Sequence, residues 1–202
     1  MNADIFLEFG RNPQYWFRKS LNLRNSANVL FDAYHSQAMK WARADEADQT
    51  LIWGQALAHL DSAKMLYGLA LETALKGTII RERPSSVQFS ITSDASGNVL
   101  TAELSDISGQ KKGGHNLLQL ARETHLLDRD SNAVFQNQED FNIAQDILND
   151  LTSFVTWLSR YPIPVRATQE PQYPKDPRSL GTEFRNWTDR MLDHLHGIPT
   201  DA

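Results

Sequence analysis

The chain has 202 residues, 41% of them hydrophobic and 22% charged, the composition of one globular domain with or without extensions. Its net charge of −5 excludes a global basic footprint for nucleic acid while leaving room for a local patch. The absence of cysteine excludes disulfides, thiolate nucleophiles and Cys-based zinc sites, and fits a cytoplasmic protein. No apolar run approaches the roughly 20 residues that span a bilayer, and the first residues lack the basic-then-apolar order of a signal peptide, so no membrane partner is expected.

Residues 1–25 crowd Phe6, Phe9, Tyr15, Trp16 and Phe17 among Gly10, Pro13 and several asparagines. Aromatics at that density argue against disorder and predict an irregular arm with short helical turns, laid across a bundle or used for dimerisation. A helix is expected over residues 26–44, capped by Ser26, with Val29, Leu30, Ala33, Tyr34, Ala38 and Trp41 on its face. After ARADEAD a second helix starts near Asp48 and ends around Arg83, because Pro84 disfavours helical geometry in the residue before it. A break near Gly54 is an option. Leu60, Ala63, Tyr67, Ala70 and Ala74 hold one face, and Leu66, Leu69, Leu71, Leu75 and Ile80 widen it almost round the cylinder. A helix apolar nearly all round is a central one.

Polar residues interrupt that helix. Glu72 and Lys76 stand four apart in the favoured order. They read either as a solvent-facing pair or as a polar pair at the edge of a core, orienting a group from another element. Lys64, eight residues before Glu72, falls on a similar face, so one polar stripe would account for all three.

VQFSITS, DASGN and VLTAELS predict a β-hairpin over about 87–105, which must lean on helices to be stable. ISGQKKGG is a loop carrying Lys111 and Lys112. HNLLQLARETHLL, from His115, predicts a short helix, and a longer one runs from Asn137 to Arg160. Five prolines over residues 161–178 predict an extended connector, and residues 179–197 a last helix closed by Gly197 and Pro199. The expected fold is mainly α: an up-and-down bundle of five or six helices with one inserted hairpin. It divides into an arm (1–25), a bundle (26–165), and a connector with its packed helix (166–202).

No phosphate-cradling glycine loop, HExxH or Gly-x-Ser-x-Gly occurs, and no cofactor is expected. His194 and His196 are two apart and diverge on a helix, so no metal site is expected of them. His59 reads as structural. His115 either caps the helix it starts or reaches outward. Arg160 closes a long amphipathic helix, where a cation suits the macrodipole. A guanidinium there also suits phosphate recognition, and Arg166, Lys175 and Arg178 follow it.

The order AKMLYGLALETALKG, GHNLLQLA and a helix closing on LSRYP resembles the HEPN superfamily of helical bundles over roughly residues 50–165. Many HEPN members are metal-independent ribonucleases of toxin–antitoxin or defence systems, working as dimers through an Arg, a polar residue and a His four to six residues after the Arg. Arg160 matches the Arg and Tyr161 the following position; the stretch after them holds Arg166 but no His. Arginine stays protonated, whereas metal-free RNA cleavage needs a group that exchanges protons near neutral pH. The resemblance therefore implies a homodimeric domain that binds a nucleotide, RNA or protein partner without catalysis, in a groove near Arg160, Tyr161, Glu72, Lys76, His115 and Arg166. The alternatives are a ribonuclease with a rearranged site around a catalytic Arg160 and a structural dimerisation module.

Overall fold

A computed structural model describes residues 3–107, 115–128, 134–158 and 183–197. Among them are six helices: α1 (Ala3–Arg11), α2 (Pro13–Trp41), α3 (Glu46–Glu82), α4 (Leu117–Glu123), α5 (Gln138–Ser153) and α6 (Glu183–His196). One antiparallel pair, β1 (Val87–Ser93) and β2 (Val99–Ile107), is inserted between α3 and α4. The fold is the expected mainly-α bundle with a hairpin. No described helix is long and apolar enough to cross a membrane.

α3 is central, as its all-round apolar pattern predicts. Its 37 residues run for about 55 Å, and α2, α4, α5 and α6 all pack on it. Leu60, Ala63, Tyr67, Ala70, Leu71, Ala74 and Leu75 are fully buried. Glu46 and Asp48 stand in its first turn, where carboxylates suit the macrodipole, and it stops before Pro84. It continues unbroken through Gly54, where an added Cβ would meet nothing within 4 Å beyond its own helix. Two other glycines on α3 allow close approach. A Cβ on Gly68 would lie 2.4 Å from Val155 Cγ2, and one on Gly77 3.0 Å from Trp16 Cβ.

The N-terminal region differs from expectation. The residues expected as an irregular arm form α1 and the first half of α2, a single helix of 29 residues. Asn12 caps it by accepting the Gln14 N–H at 3.0 Å, with Pro13 in the first turn. Ser26 is not a cap; its hydroxyl bonds back to the Asn22 carbonyl in mid-helix. Phe17, Ser20, Ala27, Phe31, Tyr34 and Ala38 form the buried face, a three-and-four repeat that runs straight through residue 26.

The hairpin extends to Ile107 and bulges twice. Val87 and Ile107 at its base are buried, and Ile91 and Leu100 are exposed. It leans chiefly on α1: Phe89 meets Phe6 edge-on with centroids 5.9 Å apart. α4 is shorter than its apolar pattern implies, because the chain turns at Thr124 and His125 adopts φ +57°. α5 starts where the sequence predicts, capped by Asn137, which accepts the Asp140 N–H, and its end widens into a π-helical turn at Phe154–Leu158. The connector expected over 161–178 lies outside the described residues.

Candidate functional site

Glu72 sits on the buried side of α3, only 7% exposed, and both its carboxylate oxygens are engaged. Lys76 Nζ donates to Oε1 at 2.6 Å. His115 Nδ1 lies 2.9 Å from Oε2. A carboxylate only accepts, so Nδ1 carries the hydrogen, and in the neutral ring Nε2 is left as an acceptor. The His115 side chain is 41% exposed, against 9% for Glu72 and 16% for Lys76. Of the two sequence readings, the pair at the core edge is the one observed.

Local structure holds His115 in place. Asn116 caps α4 by accepting the Gln119 N–H at 3.0 Å. Leu117 is fully buried, and its N–H donates to Thr152 Oγ1 of α5 at 3.1 Å. Thr152 in turn donates to the Leu148 carbonyl. The start of α4 is thus tied to α5, which aims the preceding histidine at α3.

Lys64 extends the polar stripe, but inside the bundle. Its ammonium pairs with Asp150 of α5 at 2.7 Å and lies 4.9 Å from the Phe154 ring centroid and 5.7 Å from that of Phe184. Desolvation strengthens such cation–π contacts. Neither Asp150 nor Thr152 was singled out by sequence. Each sits in the polar part of an amphipathic helix, and nothing local marks its partner.

A second polar cluster lies where α6 crosses α2. Ser20 is fully buried and donates to the Ala70 carbonyl at 2.8 Å. Its oxygen must therefore accept from His196 Nε2, 3.2 Å away. His196 Nδ1 is then unprotonated, and it is buried without a partner among the described residues. Burial pulls the His196 pKa down, Arg24 and Arg81 add to this, and Asp193 opposes it. His194 is lowered by burial and then by Arg81. The two histidines diverge as their spacing predicts. Arg24 bonds Asp189 and Asp193, and Tyr67 donates to Asn28. Burial first, then the Asp189 charge, pushes the Tyr67 phenol upward.

Glu72, Lys76 and His115 are thus brought together. Arg160, Tyr161 and Arg166, with Lys111, Lys112, Lys175 and Arg178, lie outside the described residues. A scan against protein-family models finds no match, and searches of curated proteins and of solved structures find none.

Proposed function

We propose that the chain is a HEPN-like helical domain that binds a nucleotide or RNA phosphate at the Glu72–Lys76–His115 centre without cleaving it. The reading rests on one observation: a buried carboxylate holds an ammonium and an imidazole side by side, with the imidazole half-exposed. The Lys76 ammonium lies beside the imidazole, on the same carboxylate. Lys111 and Lys112 precede His115 by four and three residues, adding donors suited to phosphate. In the sequence Arg160 follows Leu158, the last residue of the π-helical turn, by two positions, and a guanidinium is suited to phosphate. Calorimetric titration with AMP and with a short single-stranded RNA tests this reading. Binding is expected, weakened about tenfold or more in His115→Ala and in Arg160→Ala, as for a lost charge-assisted bond. No saturable heat with either ligand, or affinity untouched by both substitutions, refutes it.

A second reading is a metal-independent ribonuclease in which His115 replaces the family's missing histidine. It is favoured by the Glu72–His115 bond, since a carboxylate that holds Nδ1–H leaves Nε2 free to exchange a proton. It requires RNA cleavage in the presence of a chelator, abolished in His115→Ala. Intact RNA after long incubation at high protein concentration removes it.

A further inference from the structure

A cavity of about 380 Å³ opens between α1, the start of α2, α3 and the hairpin. It is separate from the Glu72 centre, none of whose three side chains lines it. Its walls are chiefly Phe6, Phe9, Tyr15, Trp16 and Phe89, and Lys19 is the one charged residue among the described residues that line it. The rings are held by one another. Phe9 stacks on Tyr15 with centroids 3.9 Å apart, and Phe6 meets Phe89 edge-on.

The polar groups in the wall are mostly committed elsewhere. Trp16 Nε1 donates to the Gly10 carbonyl at 3.1 Å, so the indole offers the cavity only its carbon face. Thr73 Oγ1 donates to the Leu69 carbonyl within its own helix. That leaves the exposed Lys19 ammonium and the Tyr15 hydroxyl. Among the described residues no carboxylate lines the cavity. The guanidinium of Arg11 lies 5.3 Å from the Phe89 centroid and that of Arg18 5.7 Å from the Tyr15 centroid. One cation therefore lines the aromatic box and two guanidinium groups lie within 5.7 Å of ring centroids in its wall, on a chain of net charge −5. Asp4 and Glu8 project from the side of α1 opposite Phe6, two positions from it in either direction.

We propose that this cavity binds a small aromatic carboxylate, its ring between the aromatic walls and its carboxylate at Lys19. The volume lies in the range of small-molecule sites, which are apolar enclosures with a few placed polar groups. Aromatic faces and edges select a flat ring. The Lys19 ammonium at the cavity selects a negative end over a neutral or positive one.

The probes are 2-naphthoate and its neutral isostere 2-naphthamide, titrated calorimetrically into the full chain. One naphthoate is expected to bind per chain, about fivefold more tightly than the amide, as for one solvent-accessible charge pair. In Lys19→Glu that preference disappears while amide binding is unchanged; Lys19 is on the surface, so the fold is expected to survive, as circular dichroism checks. In Thr73→Trp the added indole fills the cavity and both probes lose at least about tenfold in affinity. Equal affinity for the two probes in the unmodified chain, unchanged binding in Thr73→Trp, or no saturable binding at millimolar naphthoate overturns the proposal. So does self-association lost in Thr73→Trp without naphthoate binding, which assigns the cavity to a second copy of the chain.

Discussion

The Lys64 side chain is 5% exposed and that of its partner Asp150 is 41% exposed, so the pair is not symmetric in energy. Removing the aspartate strands an ammonium in the core, where an unpaired charge is costly. Removing the lysine leaves a carboxylate that water can still solvate. Asp150→Ala is therefore expected to destabilise by about 2 kcal/mol or more, and Lys64→Met by distinctly less. Urea denaturation of both variants measures the difference, and equal losses would contradict it. The Glu72–Lys76 pair follows from spacing, because its members are one helical turn apart. The third member, His115, is 43 positions from Glu72, and only tertiary packing brings it there. Burial was the harder property to read: a polar stripe on a helix looks the same whether it faces water or neighbouring helices.

Among the helices, the long periodic ones were readable because their apolar faces repeat over many turns, as in α3 and α5. The start of α2 was misread for an identifiable reason. Ser26 has a capping side chain, and the aromatic-rich stretch before it resembles a surface arm; the true start at Asn12–Pro13 is a short signal beside Gly10. Two glycines of α3 make opposite predictions from one substitution. Gly54→Ala meets open space and should stabilise by about 0.5–1 kcal/mol, since glycine is a poor helix former. Gly68→Ala drives a methyl to 2.4 Å from Val155 and 3.2 Å from the Leu151 carbonyl. It should destabilise by about 1–3 kcal/mol, as overpacking does. Thermal unfolding of the two variants settles both signs.

For the molecule as a whole, the histidines of α6 link stability to pH. The folded state holds His196 and His194 below their ordinary value of 6.5, so it binds fewer protons than the unfolded chain. Their contribution is fully present above about pH 6.5 and is lost as pH falls through that value towards the lowered folded-state values. Melting temperature should therefore fall between pH 8 and pH 5. His196→Gln should flatten the fall, because an amide cannot take up the proton. An equally steep fall in that variant would place the effect on other groups.

The most extensive partner of α3 is α2, joined to it by a turn of a few residues. Residues 13–82 can therefore pair as soon as they leave the ribosome, before α4, α5 and α6 have been made. During that interval the side of α3 that later receives Val155 and α6 has none of these to cover it. Synthesis of residues 83–196, which carry α4, α5 and α6, at about 5–20 residues per second, leaves this half-built hairpin with an uncovered apolar flank for roughly 6 to 23 seconds. That is the period in which a chaperone, or another nascent chain, would find it.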